Sequence, residues 1–547
     1  MPDLAPSGPA GEPGAQMTHR EVLEALSGLL LAMFVAMLSS TVVSNALPSI
    51  VADLEGSQTG YTWVVVATLL TMTATTPIWG KLADLFSQKV LVQSALVIFS
   101  IGSLAAGLAP TMGTLIAARA FQGLGVGGLT ALVQVVIASM VSPRERGRYA
   151  GYIGSVFALA TVSGPLIGGV LVDTLGWRWC FFVGLPVAAL AFVVLQKTLH
   201  LPTIKRETHI DYLGATLIMS GVSVLLVWVS LAGNEFDWVS TTSVGLVAVG
   251  ALLLAAAIYV ELRVAREPII PMYLFRDRTT ALSTIASVLV GLAMFGSTVY
   301  LSQYFQLARG MSPTHAGLMS IAMVGGLLVA SIVSGRLITR TGRWKRFLVG
   351  GMTLVVIGLS LLSTIDRETN LAVVGAFMCV LGLGLGSTMQ NLVLAVQNNT
   401  AHADMGAASS LVAFFRSIGG SVGVAALGAV LANQVSTSVT EGLAALGIPA
   451  SEKTGSSIPD LDTLPEPIRL VFEGAFGDAT AHLFLVAMPF AVAALICVAL
   501  IKEVPLRETV LRDDELSVEV QAELHFTEPV LGEPDRLAHQ ESDGHGR

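Results

Sequence analysis

The sequence predicts an all-α membrane protein with fourteen transmembrane helices. Of its 547 residues, 53% are hydrophobic and 12% are charged, and the mean hydropathy is +0.73, whereas about 25% of the residues of an ordinary soluble domain are charged. A helix that crosses a bilayer needs about 20 apolar residues. Fourteen apolar segments of about this length lie at 26–47, 63–82, 91–109, 114–137, 150–172, 180–197, 212–233, 244–262, 281–305, 317–338, 346–365, 371–395, 406–432 and 481–501.

The charge distribution argues against binding to nucleic acid. The net charge is −8, and residues 502–547 alone hold twelve Asp and Glu against five Lys and Arg. The rest of the chain is therefore nearly neutral and offers no basic surface for a polyanion. The acidic tail 502–547 is predicted to be disordered and regulatory at most.

Motifs of catalysis and cofactor binding are missing. The chain lacks the phosphate-binding GxxxxGK[ST] pattern and the catalytic HExxH pattern, so an enzyme, an ATPase and a bound cofactor are not expected. The three cysteines are too few for a disulfide framework or a CxxC metal site. Residues 123–128 satisfy GxGxxG, but they lie in an apolar helix, where small residues let another backbone approach closely.

Basic residues between the apolar segments predict the orientation. The connections on one side carry seventeen Lys and Arg, and those on the other side carry five. Because basic residues are retained in the cytoplasm and the number of spans is even, both termini are predicted to be cytoplasmic in a cell (inner) membrane.

A repeated motif suggests two related halves. The sequence GKLAD at 80–84, after the second span, is echoed by GRLIT at 335–339, after the tenth. Many secondary transporters place a substrate site between such halves. The predicted parts are a disordered cytoplasmic tail 1–25, an N-terminal six-helix bundle 26–197, a central helix pair 198–280, a C-terminal six-helix bundle 281–501 with a long external loop 434–480, and the tail 502–547.

Five stretches resemble those of a known family. Residues 80–89 resemble the loop between helices 2 and 3 of the major facilitator superfamily, and 115–123 resemble its helix-4 motif. Residues 154–169 resemble the helix-5 motif of its export branches. The stretch 177–186, the linker 268–276 and the fourteen spans resemble the drug:proton antiporter family within it. The resemblance implies two six-helix bundles with an extra helix pair, proton-coupled efflux of lipophilic compounds, and a monomer.

Six residues are candidates for proton coupling and gating. Asp84 ends the second span, where a carboxylate can accept bonds from a helix N-terminus or pair with a nearby arginine. Arg119 lies inside an apolar span, where charges are costly and commonly functional, and Gln122 shares its face. Pro165, which stands between Gly164 and Gly168, has no backbone N–H for a helical hydrogen bond and is expected to bend the fifth span. The resemblance implies a latch at Asp84, coupling at Arg119 and a seal at the bend; structural roles for all of them remain open.

One position departs from the family pattern. Ser39 stands where the first helix of the family carries an aspartate, and serine does not ionise in the relevant pH range. No acidic residue lies clearly near the middle of any predicted span. Proton coupling is therefore expected from the resemblance alone, and uncoupled or differently coupled transport stays open.

Polar and aromatic residues within spans of both halves are candidates for substrate binding, since ligand pockets are mostly apolar with a few placed polar groups. These candidates are Asn45, Gln134, Tyr300, Gln303, Tyr304, Gln306, Gln390, Asn391 and Phe415. Anchoring at the membrane interface is an equal alternative for the tyrosines. The shortage of embedded carboxylates argues against obligatory dicationic drugs and leaves neutral amphiphiles, lipids and an endogenous metabolite open.

The leading hypothesis is a membrane exporter that works by alternating access, with lipophilic compounds leaving as protons enter. An uptake symporter and a membrane receptor or scaffold that signals through its acidic tail are the alternatives. A receptor of this kind should lose function when 502–547 is deleted, whereas a transporter should mostly tolerate that deletion.

Overall fold

The computed structural model describes residues 19–54, 58–199, 211–233, 236–311, 313–448 and 465–507. Nearly all of this part of the chain is helical. Its α-helices are α1 (His19–Asp53), α2 (Gln58–Leu85), α3 (Gln88–Gly107), α4 (Met112–Met140), α5 (Pro143–Thr174), α6 (Trp179–Phe182), α7 (Gly184–Thr198), α8 (Tyr212–Leu231), α9 (Thr241–Arg263), α10 (Arg278–Gln303), α11 (Pro313–Met319), α12 (Ile321–Thr341), α13 (Lys345–Leu362), α14 (Leu371–Asn399), α15 (Met405–Ala445) and α16 (Glu466–Leu500).

Fourteen stretches within the described ranges are long and apolar enough to cross a membrane, which confirms the predicted number of spans. The short helices α6 and α11 each share a span with the helix that follows. A π-helical turn, Tyr304–Ala308, extends α10. Helix starts carry the capping residues that orphan N–H groups require: Asp277, for example, accepts from the backbone N–H of Thr280 at 2.8 Å.

The helices form two bundles and a separate pair. Helices α1–α7 pack on one another, as do α10–α16, and α8 packs along α9. The pair docks on both bundles through α2 and α15, and Ile218 and Val222 of α8 share an apolar cluster with Ala74 and Leu411. The linker after α9 is held by Glu261, which accepts the backbone N–H groups of Ile269 and Ile270 at 3.2 and 3.3 Å.

Glycines allow the helices of the N-terminal bundle to pack closely around α4. A Cβ atom on Gly125 would lie 2.5 Å from the backbone nitrogen of Phe99 in α3, and one on Gly127 would lie 2.5 Å from the carbonyl oxygen of Met72 in α2. The glycines of the GxGxxG stretch therefore face neighbouring helices, the role that small residues have in membrane bundles.

Two predicted boundaries need correction. The long external loop 434–480 is largely helical, because α15 continues to Ala445 and α16 begins at Glu466. The extension of α15 is stabilised by Val435, Val439 and Leu443, which follow a four-residue period and are buried. At the N-terminus the helix already begins at His19, within the predicted tail 1–25. Residues 1–18, 449–464 and 508–547 lie outside the described part of the chain.

Candidate transport pathway between the two bundles

The two bundles meet at the end of the molecule where α2 and α12 finish and α5 and α15 begin. The connections at this end carry most of the basic residues, so we call it the basic end. Gly80 of α2 faces α15 so closely that a Cβ atom would overlap the hydroxyl of Ser410 and lie 2.7 Å from the carbonyl oxygen of Gly406. Only glycine allows this approach of α2 to α15.

Asp84 joins α2 to the N-terminus of α15. Its two carboxylate oxygens accept the backbone N–H groups of Gly406 at 2.6 Å and Ala407 at 2.9 Å. Both N–H groups belong to the first turn of α15, which has no helical acceptor for them, and the helix dipole favours a negative charge at this point. The carboxylate therefore connects the two bundles through two charge-assisted hydrogen bonds.

A second contact between the bundles joins α5 and α12. A Cβ atom on Gly151 would lie 2.7 Å from the side chain of Ile332, and one on Gly154 would lie 3.2 Å from the hydroxyl of Ser331. Both positions lie in the first half of α5, which starts at the basic end. The bundles are thus closed on two sides at this end.

Polar side chains connect α4 and α5 to α14. The amide of Gln134 donates to Gln390 Oε1 at 3.3 Å, and the buried Arg146 donates to Gln397 Oε1 at 2.9 Å. Arg146 also donates to the carbonyl oxygens of Ala138 at 2.5 Å and Val141 at 2.8 Å. These residues line a cavity of about 30 Å³, room for about two water molecules.

The chain after α16 closes over the basic end. Residues 501–507, which we call the C-terminal strap, are extended beyond the end of the helix. The indole of Trp344 donates to the carbonyl oxygen of Val504 at 2.9 Å, and Asn398 donates to that of Pro505 at 3.1 Å. On the other bundle, the backbone N–H of Arg144 donates to the carbonyl oxygen of Arg507 at 3.2 Å. The beginning of the predicted acidic tail is therefore part of the fold.

The contacts that close the basic end, which we call the seal, extend only part of the way along the helices. All residues from 405 to 414 in α15 are buried, whereas the next four, 415–418, are partly exposed. In α2, which runs the other way, residues 73–77 are all buried and 69–72 are partly exposed. At 1.5 Å per residue both transitions lie about 15–20 Å from the basic end, about halfway across a bilayer core. The structure is therefore closed at its basic end to about mid-membrane depth.

A buried polar network lies inside the N-terminal bundle. The guanidinium of Arg119 donates to Gln122 Oε1 at 2.5 Å and to the carbonyl oxygen of Val64 at 3.4 Å. The amide of Gln122 donates to Ser39 Oγ at 3.1 Å and to Ser103 Oγ at 2.6 Å. Ser39 thus accepts a neutral hydrogen bond at the position where the family pattern has a carboxylate.

The fifth span shows one close approach. Gly164 of α5 lies against Thr41 of α1, and the Thr41 hydroxyl donates to the carbonyl oxygen of Ala160 at 3.2 Å. Helix α5 is continuous from Pro143 to Thr174 and passes through Gly168. The side chain of Pro165 lies outside the described part, and the expected bend stays a prediction.

The structure brings only some of the predicted substrate residues to the space between the bundles. Gln134 and Gln390 meet there, and Asn391 lines the same small cavity. Phe415 lies at the edge of the seal farthest from the basic end and packs edge-to-face on Phe275, with ring centroids 6.2 Å apart.

The remaining candidates lie elsewhere. Tyr300 and Tyr304 are buried within the C-terminal bundle, where their hydroxyls donate to the carbonyl oxygens of Val424 and Asp366. Gln303 and Gln306 are partly buried in the same region, and Gln306 donates to Ser302. The side chain of Asn45 lies outside the described part of the chain.

Two residues of the seal are absent from the sequence-based candidates. Arg146 was predicted to be an orientation charge and one of the arginines that could pair with Asp84, and Gln397 was not selected, yet they form the hydrogen bond between α5 and α14. The signal available was the amide of Gln397 in the last turn of an apolar span. Its partner is 251 residues away in the chain, so local patterns do not reveal the pair.

Comparison with known proteins identifies the family. The family model described as the Major Facilitator Superfamily matches residues 29–424. The chain belongs to the major facilitator superfamily. This confirms the resemblance seen in the motifs, and two six-helix bundles with an extra helix pair are the architecture that it implied.

Curated relatives of this superfamily member include named efflux proteins. The multidrug transporter protein MdtP of Bacillus subtilis is 34% identical over 440 residues, which cover 80% of this chain and 78% of MdtP. The efflux pump dotC of Dothistroma septosporum is 33% identical over 508 residues, covering 91% and 86% of the two chains. Among solved structures, the proton:xylose symporter XylE has the same fold, with a TM-score of 0.56, 13% identity, and coverage of 87% of this chain and 96% of XylE.

Proposed function

We propose that this transporter exports lipophilic small molecules in exchange for protons by alternating access. The observation that carries the proposal is the carboxylate of Asp84, which holds α15 of one bundle to α2 of the other. The two N–H donors are bound most strongly while the carboxylate is charged, since protonation turns one oxygen into an O–H donor and makes it a weaker acceptor. A proton that reaches Asp84 would weaken the latch and favour opening of the basic end.

The direction of transport and the orientation belong to the same proposal. The excess of Lys and Arg at the basic end supports a cytoplasmic position for this end and for both termini, in the inner membrane. The names of MdtP and dotC support export. A single chain suffices in this proposal, because the space between the bundles is formed by one copy.

A second candidate is export without proton coupling. The observation that favours it is Ser39, which accepts a hydrogen bond from Gln122 where a titratable carboxylate would be expected. The substrate in that case could be a metabolite or a lipid that moves down its own gradient.

Transport in vesicles tests both candidates. The purified protein is reconstituted in liposomes with an internal pH dye, and outward gradients of lipophilic dyes are imposed on the wild type, Asp84→Asn and Arg119→Ala. Asp478→Asn is the matched control, because Asp478 is exposed on α16 away from the latch. We expect substrate flux to drive proton flux in the wild type and the control, and the proton flux to be lost in Asp84→Asn.

The outcomes separate the candidates. Dye movement without proton movement in the wild type would leave an exporter and remove the coupling. No dye movement above empty liposomes, in protein that elutes as a single species, would count against the proposed function itself.

A further inference from the structure

Arg416 lies at the point where the seal between the bundles ends. It is the eleventh residue after Met405, the first residue of α15, which places it about 16 Å from the basic end and near the middle of a bilayer core. The ten residues before Phe415 in this helix are buried, whereas Arg416 is partly exposed. Arg416 therefore belongs to the first partly exposed turn of α15 beyond the seal, on the side away from the basic end.

Arg416 has no partner in the part of the chain that the structure describes. Its side chain forms neither a hydrogen bond nor an ion pair there, although its backbone packs closely on Gly291 of α10. Arginine inside a membrane protein usually pairs with an acid or a carbonyl group, because an isolated charge at this depth is costly. A partly exposed guanidinium that lacks a counter-ion among the described residues can accept an anion as its partner.

No described residue of the surrounding spans supplies a negative charge at this depth. Among the described residues, Asp84 and Glu261 lie within the last turns of α2 and α9, both at the basic end. Arg119, the other arginine well inside a span, is likewise bonded to the neutral Gln122 rather than to an acid. The fixed charge in the middle of the membrane region is thus positive.

We propose that the space above the seal binds organic anions, with Arg416 as the group that pairs with the substrate's carboxylate. This inference rests on the proposed export function and names its substrate class. The apolar part of the ligand would pack on Phe415 and Ile418 of the same turn, which are partly exposed and rest on the apolar cluster beside the helix pair. Organic cations are disfavoured, because their charge would meet an uncompensated guanidinium of the same sign. An amphipathic carboxylate satisfies both features of the site.

A set of three matched compounds tests the charge preference. Pyrenebutyrate, pyrenebutanol and pyrenebutyl-trimethylammonium share one apolar group and differ in charge. Their uptake into proteoliposomes of neutral phosphatidylcholine is measured by fluorescence and corrected with empty liposomes. Because a hydrogen bond between charged groups contributes a factor of about 10 or more, we expect the anion to be transported at least about tenfold faster than the cation.

Variants assign the preference to one residue. Arg416→Gln should lose anion transport by about tenfold or more, whereas Arg416→Lys, which keeps the charge, should retain much of it. Arg343→Gln is the matched control, since Arg343 is exposed at the basic end, and it should behave as the wild type. Elution as a single species establishes that each variant is folded.

The contradicting results are distinct from failure of the proposed function. Transport of the cation or the alcohol without the anion would overturn the substrate class and leave export standing. Wild-type anion transport in Arg416→Gln would remove Arg416 from the site. If none of the three compounds moves in vesicles that transport the lipophilic dyes, the anion proposal fails alone; if the dyes also fail to move, the export function fails with it.

Discussion

At the scale of single residues, Gln122 keeps a buried charge inside the N-terminal bundle. Its amide oxygen accepts from Arg119, and its nitrogen donates to Ser39 and Ser103. The Gln122 amide oxygen thus accepts from one N–H group of Arg119, and the carbonyl oxygen of Val64 accepts from another. Removal of a neutral hydrogen-bond partner from a buried charged group costs about 1.5–3 kcal/mol.

We therefore predict that Gln122→Leu lowers the Tm of the purified protein by about 1–3 °C. Gln93→Leu is the control, because Gln93 donates to Gln196 in an exposed pair, and it should change Tm by much less. The double variant Arg119→Met with Gln122→Leu should regain part of the loss, since the unpaired charge is removed as well. Equal effects of the two single variants in a thermal unfolding assay would contradict the assigned role.

Gly80 tests the contact between α2 and α15. A methyl group there would overlap the hydroxyl of Ser410, and such overpacking costs about 1–3 kcal/mol. Ile153 lines the small cavity between the bundles. The reporter of opening is therefore Ile153→Cys, in a background without Cys180, Cys379 and Cys497. We predict that Gly80→Ala raises the rate of maleimide labelling at this cysteine by about tenfold.

Gly113→Ala serves as the comparison for Gly80→Ala. No atom lies within 4 Å of a Cβ atom at Gly113, so the same substitution should leave the labelling rate unchanged there. Equal labelling in both variants would show that the glycine contact does not hold the basic end closed.

At the scale of elements, the sequence predicts the spans better than the ends of the helices. Hydropathy identifies all fourteen spans. A span must satisfy its backbone hydrogen bonds within one helix and present apolar side chains to lipid, so each span is one continuous apolar segment. The continuation of α15 beyond the predicted span 406–432 was missed, because residues after 432 are more polar and are not needed to cross the membrane. The four-residue spacing of Val435, Val439 and Leu443 was present as a helical signal.

The C-terminal strap yields a prediction of its own. A chain that ends at Arg507 keeps the bonds to Trp344, Asn398 and Arg144, whereas a chain that ends at Ile501 loses them all. Each such hydrogen bond contributes about 1 kcal/mol. We predict that the shorter chain has a lower Tm and faster labelling at Ile153→Cys, while the longer one matches the full-length protein. Identical behaviour of the two truncated chains would mean that the strap does not stabilise the closed end.

At the scale of the whole molecule, the candidate site could be predicted only in part. Asp84, Arg119 and Gln122 were found because charges and amides are rare in apolar helices and because family motifs include them. Their partners were not found. The N–H groups that bind Asp84 are 322 and 323 residues away in the chain, and such contacts depend on how the two bundles pack rather than on any local pattern.

Alternating access requires that the contact between α5 and α12 opens during each cycle. A Cβ atom on Gly154 would lie 3.3 Å from the Cβ atom of Ser331, close to the separation of about 3.5–4.5 Å in disulfides. We predict that Gly154→Cys with Ser331→Cys, in the background without native cysteines, forms a disulfide that abolishes dye transport and that a reducing agent restores it. The bond would hold the basic end closed while leaving each bundle intact.

A disulfide within one bundle provides the control for this experiment. A Cβ atom on Gly375 of α14 would lie 3.8 Å from that of Ala322 in α12, so Gly375→Cys with Ala322→Cys should also form a disulfide. Both helices belong to the C-terminal bundle and move together if the bundles rock as rigid bodies. This second disulfide should therefore permit transport. Full transport with the first disulfide formed would rule out opening between α5 and α12, and a block by both would show that transport requires movement within a bundle.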